Sequence, residues 1–453
     1  MRIKVGFFTT IFLAMLVIAF VWPRYFYINI VGIGFSGFTL GTLALVVLSL
    51  GKLTMDHHAR QVFFRGIGRA LVPLMMLLVW FSWELITAFN GTYPDIALKT
   101  VLQATVFGHL WIILAAIFLS DDDALRLMPI LTVACGFLVF AFGLVEFVSQ
   151  KPLLDALGLT EFAAGDRAQL EAIAFASTDG FTLRIKSVFI HPIIFGQVMA
   201  LLSPLGLHLV LNNLGVRRLF GVLLLVAAVA SIILCQSRSP IIVMLAAMAV
   251  YLLMFFFDLR SRSRLSIVVG AAILGAFTLP VVVNTVLDVV VGENTRDQRS
   301  NKARVVQLAK ATAALEYKPF LGYGAGTGAK IAGVEGRMNI RSLDSFYIKT
   351  AVETGYIGLT LFIVLQLSLI WFTARRALTA VSTTQRGLLS SGVGMLVGAN
   401  LGLLIITSVD AYFFALLFVG YAIAYTGRLS APAPARRTAD YRARPVNGSL
   451  VAD

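Results

Sequence analysis

Apolar residues recur along the chain in blocks of about 17–25 residues, the length a helix needs to cross roughly 30 Å of hydrocarbon. The blocks GVLLLVAAVASIILC and PIIVMLAAMAVYLLMFFF carry no charge. Backbone groups in lipid must find partners within their own segment, so such blocks are expected to be helices rather than open strands. The pattern predicts an all-α polytopic membrane protein of twelve transmembrane helices, at about 6–22, 28–50, 70–89, 97–119, 128–148, 188–212, 219–235, 240–257, 265–290, 346–372, 387–408 and 411–427. Arg2, Lys4 and the first apolar run could pass for a signal peptide, but no A-x-A cleavage site follows, so the run is read as the first helix.

Two polar connections are long, at about 149–187 and 291–345. In the second, between the ninth and tenth predicted helices, Val305, Leu308, Ala309, Thr312 and Leu315 fall at helical spacing within 302–316. That spacing predicts an amphipathic loop helix, closed by Pro319. The bundle is expected to occupy 1–427. The Pro/Ala/Arg-rich stretch 428–453 has no apolar period and is expected to be a disordered tail. No internal repeat stands out, which weakens a reading as a secondary transporter, because many such folds are built from inverted halves.

Charge adds an orientation. The 453 residues are 58% hydrophobic and 13% charged, with formal net charge +14 and mean hydropathy +0.87. The basic residues sit in alternate connections, among them Lys52, Arg60, Arg65, Arg69, Arg126, Arg217, Arg218, Arg260, Arg262, Arg264, Arg375, Arg376 and Arg386. The short loops of the other set hold only Arg24, Lys99 and Arg238. By the positive-inside rule both termini are expected in the cytoplasm, in a multi-pass inner-membrane protein whose long loops face outward. The positive charge thus has a topological origin, and no nucleic-acid partner is expected. Two cysteines, Cys135 and Cys235, and five scattered histidines give neither a disulfide framework nor a metal cluster. No cofactor is expected.

Ionisable groups at or inside a membrane are functional candidates, because keeping them there is expensive. Arg238 interrupts two uncharged helices in CQSRSP; it is either a ligand for an anion or an interfacial arginine reaching lipid phosphates. Arg296, Arg299, Lys302, Arg304, Lys310 and Lys318 crowd the second long loop. Guanidinium forks bind phosphate oxygens in pairs, so this is an anion-site candidate or a basic face against lipid head groups. LGYGAGTGAK lacks the strand and βαβ context of a dinucleotide loop and reads as a glycine-rich turn. In RSLDSFYIKTAVETGYIGL, Asp344 stands at the entry of a helix, where an N-cap is the alternative to chemistry, and Glu353 lies about two turns in, where a hydrogen bond within the bundle is the alternative. Glu84, His191 and Asp410 are further candidates for a polar cavity.

Taken in order, these residues resemble the O-antigen ligase and Wzy-type polysaccharide polymerase superfamily. Asp344, Ser345, Phe346, Tyr347, Ile348, Glu353 and Gly355 stand in register with that family's H-N-x-Y-L-x-x-x-x-E-x-G pattern. Arg304, Pro319, Gly322 and Gly324 match its loop-helix arginine, proline and G-x-G turn. Ser237-Arg238 and His191-Pro192 match two earlier motifs. The resemblance covers roughly 185–425 and implies glycosyl transfer from undecaprenyl-diphosphate-linked glycans at the outer face of the inner membrane. It implies an inverting, metal-independent, GT-C-like enzyme in which Arg238 and Arg304 hold the pyrophosphate. Ligases carry histidine where this chain has Asp344, so the departure favours a polymerase of repeat units, for an exopolysaccharide, capsule or O-antigen. Asp344 is then the base, and Arg299, Arg341, Tyr347, Glu353, His191, Gly322 and Gly324 shape the substrate cavity. The implied partners are the lipid-linked donor and acceptor, the membrane, a chain-length regulator and other export components. A ligase acting on lipid A core or protein, and a transporter or flippase of a lipid-linked substrate, are the alternatives.

Overall fold

The computed structural model describes residues 6–23, 27–30, 33–158, 184–256, 295–335 and 341–429. The ninth predicted helix, 265–290, lies outside them, as do most of the first long loop and the tail beyond Leu429. The described residues form helices α1 (Phe7–Val21), α2 (Gly37–Met55), α3 (His57–Arg69), α4 (Leu71–Phe89), α5 (Pro94–Thr100), α6 (Phe107–Phe118), α7 (Asp122–Ser149), α8 (Leu153–Ala156), α9 (Pro192–Asn212), α10 (Val216–Leu234), α11 (Ser239–Phe256), α12 (Thr295–Tyr317), α13 (Gly328–Ala332), α14 (Phe346–Thr379), α15 (Thr383–Leu403) and α16 (Asp410–Leu429). A π-helical turn, Val101–Val106, joins α5 to α6. Among the described residues, eight helical segments are long and apolar enough to cross a membrane, and α1 and α11 are shorter apolar helices.

Two elements in the N-terminal part depart from the expectation. The second helix begins at Gly37, not 28, because Tyr27–Ile30 and Ile33–Ser36 pair as an antiparallel hairpin with Ile30 opposite Ile33. Glycines 32, 34 and 37 between Ile, Val and Phe weaken a helix and suit a ribbon. The basic stretch after α2, read as a loop, is the amphipathic helix α3. Asp56 caps it by accepting from the Ala59 N–H at 3.0 Å, and Ala59, Val62, Phe63 and Gly66 face inward at helical spacing.

The core is made by helices that are apolar or small-sided all round. Every residue of α16 from Ala411 to Gly427 is buried, and α9 and α15 bury most of theirs. Peripheral helices instead leave Val47, Val72, Phe89, Leu219, Ile233 and Trp371 exposed, an apolar girdle suited to lipid. The protein is a multi-pass membrane protein.

At one end of this bundle, buried Lys52 meets Asp121 at 2.8 Å, and Thr9 donates to the same carboxylate at 2.6 Å. Burial alone would raise the Asp121 carboxyl, but the hydrogen bonds from Lys52 and Thr9 hold it below its ordinary range. Arg428, read as the first residue of the tail, stands in the last turn of α16 and pairs with Asp122.

Candidate functional site

The opposite end carries the long-loop helix. There α14 opens on Ser345, whose hydroxyl accepts from the Ile348 N–H at 3.4 Å. The cap is therefore Ser345, not Asp344. Asp344 instead turns its Oδ2 toward the Arg304 Nε at 3.9 Å. Arg304 projects from α12, the expected loop helix. One turn further on, Gln307 is 1% exposed and joins both sides. Its amide nitrogen donates to the Ser342 carbonyl at 3.1 Å, and its oxygen accepts from the Asp344 N–H at 3.2 Å. The side chains of Arg304 and Asp344 remain 38% and 34% exposed. A pair that wet adds little stability; its interest lies in placing a cation and a carboxylate side by side. Burial raises the Asp344 carboxyl above its ordinary range, with Arg304 and Gln307 acting in the opposite direction.

Further along, at Gly355, α14 is broken. Gly355 adopts φ 72°, ψ −178°, a conformation essentially confined to glycine. The break releases helix groups, and the segment after α12 takes them up. The carbonyls of Val352 and Glu353 accept from the N–H groups of Tyr323 (3.0 Å) and Gly324 (2.8 Å). The Thr354 carbonyl accepts from the indole of Trp83 at 3.0 Å. In return the Tyr356 N–H donates to the Pro319 carbonyl at 2.7 Å. Gly322 and Gly324 both have positive φ, and a Cβ on Gly322 would strike the Glu353 backbone. The Glu353 carboxylate, deep inside, accepts from the Gly328 N–H at 3.0 Å. The G-x-G turn and the E-x-G motif are thus two halves of one joint. Gly322, Gly324 and Glu353, read as substrate-binding residues, meet one another there.

The remaining candidates arrive from other helices at the same end. Tyr347, in the first turn of α14, donates to the Asn400 Oδ1 at 3.0 Å. Asn400 and Tyr412 both donate to the Gln366 Oε1, at 3.3 and 2.6 Å. His191 caps α9, its Nδ1 accepting from the Ile193 N–H at 3.2 Å. Gln197 on the same helix donates to the Gly402 carbonyl at 3.4 Å, which brings the start of α9 beside the end of α15. Arg238 sits in the short turn between α10 and α11, half-buried. Arg341 is tied within the loop, donating to Glu335 at 2.8 Å and to the Lys330 carbonyl at 3.1 Å. Arg299 belongs to α12, and its side chain lies outside the described residues.

The sequence reading missed a second layer around Arg238. Arg184 is buried and donates from Nε to the Cys235 carbonyl at 3.1 Å, so it braces the turn that carries Arg238. Beside it, Glu146 accepts from the N–H groups of Lys186 and Ser187 at 2.9 and 2.7 Å. Burial lowers the Lys186 ammonium from the ordinary lysine range, against the pull of Glu146 and Asp155.

Residues 222–363 match the Wzy_C family model, O-antigen ligase. Over that stretch the chain is similar to the O-antigen ligase and Wzy-type superfamily. The matched stretch spans Arg238, Arg304, Asp344, Tyr347, Glu353 and Gly355, most of the residues that carry the resemblance, and leaves His191 and Arg184 outside. The match indicates a membrane enzyme of the O-antigen ligase and polymerase type. No curated protein matches the chain.

Proposed function

We propose that this Wzy_C protein is a polymerase that joins undecaprenyl-diphosphate-linked oligosaccharide repeats at the periplasmic face of the inner membrane. The observation that supports this reading best is the Arg304–Asp344 pair, set by Gln307 at the head of α14. In the proposed reaction an acceptor hydroxyl attacks the anomeric carbon of the donor sugar from the face opposite its diphosphate. Asp344 takes the hydroxyl proton. The anomeric C–O bond breaks with inversion, and its electrons leave on the diphosphate. Arg304 and Arg238 stabilise that growing charge through guanidinium forks, the role a divalent cation plays in other transferases. A half-buried carboxylate with raised proton affinity is a stronger base than a fully exposed one. In the proposed topology of twelve spans and two cytoplasmic ends, the site faces outward.

The family description favours a ligase as the second reading; aspartate at position 344, where ligases carry histidine, favours the polymerase. Glycan length distributions from a deletion strain complemented with wild type or Asp344→Asn test the choice. Loss of long polymer with single lipid-linked repeats accumulating, unrescued by the variant, is the expected outcome. Polymer that forms but stays on its carrier would establish the ligase. Repeats held at the cytoplasmic leaflet would mean transport, and wild-type chain lengths from Asp344→Asn would remove that residue from the mechanism.

A further inference from the structure

Beneath the head of α14 lies a cavity of about 230 Å³, walled by α4, the π-turn, α14 and α16 and roofed by Ala325 of the glycine-rich turn. Pockets for drug-sized ligands run to roughly 300–1,000 Å³, so this volume suits a single ring. Its walls combine the aromatic side chains of Trp80, Phe346, Phe362 and Phe413 with the carboxyl groups of Glu84, Glu353 and Asp410. Rings with an apolar face and hydroxyls around the rim match such a lining, the aromatic planes taking C–H faces and the carboxyl groups taking hydroxyl protons. Against three carboxyl groups the cavity offers the ammonium of Lys349 and the imidazole of His109. An anionic ring would enter against like charge.

We infer that this cavity is a subsite for one uncharged sugar ring, separate from the arginines that hold the diphosphate. Phe346 lines it two residues along the chain from Asp344, which does not itself line the cavity. The assignment of that ring to the substrate rests on the proposed function; the binding itself does not. The site divides the labour by charge: guanidinium groups take the phosphates, and the acidic aromatic cavity takes the sugar and rejects uronates.

The test uses the full chain in lipid nanodiscs, titrated with glucose, N-acetylglucosamine and glucuronate while tryptophan fluorescence is recorded. At least one neutral sugar is expected to saturate, with glucuronate at least tenfold weaker. Glu84→Gln should narrow that gap. A Cβ at Gly108, on the cavity wall, meets nothing within 4 Å, so Gly108→Leu fills the space without a backbone clash and should abolish the response. Saturation of no sugar, equal binding of glucuronate, or a response unchanged in Gly108→Leu would each overturn the subsite. Arg304→Ala should stop polymer formation in cells yet leave the titration unchanged. Normal polymer in the deletion strain beside an intact titration would sink the polymerase reading alone.

Discussion

Asp344 is held between opposing influences: burial favours its protonated form, whereas Arg304 and the Gln307 amide favour the carboxylate. A base must be ionised to act, so the acid limb of the rate profile should lie above the ordinary carboxylate range. Removing a group that stabilises the charge moves it further up. Gln307→Leu keeps the side chain's approximate volume and loses both hydrogen bonds; its acid limb is expected at higher pH than wild type, with a lower plateau. A pH–rate profile from membranes, with an unshifted limb, would show that Gln307 only packs. Arg304 and Asp344 could be found in the sequence because charge beside an apolar run is rare and both stand in a spaced motif. Gln307 could not: an uncharged amide on an amphipathic helix leaves no mark until its two partners, one of them 37 residues away, are seen. Arg184 was hidden for the same reason, its role being set by the Cys235 carbonyl 51 residues on.

Among elements, α14 departs most from what its composition suggests. Its apolar run predicts one continuous span, and the family-like E-x-G within it reads as chemistry. The glycine is instead where the helix stops and restarts, and the turn at 319–324 supplies the partners. Gly355→Ala places a non-glycine residue in a conformation that costs about 1–3 kcal/mol and pushes a methyl group against the Phe320 carbonyl. The expected result is an undocked loop, seen as faster proteolysis around 318–330 and loss of activity, with the bundle still inserted. Unchanged protection would mean that the joint tolerates a side chain. Hairpin Tyr27–Ile30/Ile33–Ser36 and helix α3 were misread for a related reason. Hydropathy reports burial against lipid, whereas these two elements are decided by glycine placement and by a stripe of four inward residues.

At the scale of the molecule, apolar block lengths predicted most of the helices, because lipid leaves the backbone few choices. They could not say which helices lie inside. Helices α9, α15 and α16 are central because small residues let neighbours close around them, a property that mean hydropathy does not carry. Orientation is open to a direct check, since both native thiols are buried and should not label. Tyr317 and Val381 are 82% and 88% exposed and stand at opposite ends of the charge pattern. In intact spheroplasts an impermeant maleimide is expected to label Tyr317→Cys and to reach Val381→Cys only after permeabilisation. The reverse pattern would invert the topology.

The break in α14 also bears on what the fold requires. The part beyond Gly355, 356–379, still spans roughly 36 Å at 1.5 Å per residue, enough to enter the bilayer unaided. The head, 346–354, has three carbonyls in succession whose donors come from elsewhere in the chain, two from Tyr323 and Gly324 and one from Trp83, so its backbone is satisfied only with those segments packed against it. Insertion of the span and docking of the loop are therefore separable requirements of the fold. The arginine–aspartate pair depends on the second, because Arg304 stands on the loop helix and Asp344 at the head of α14.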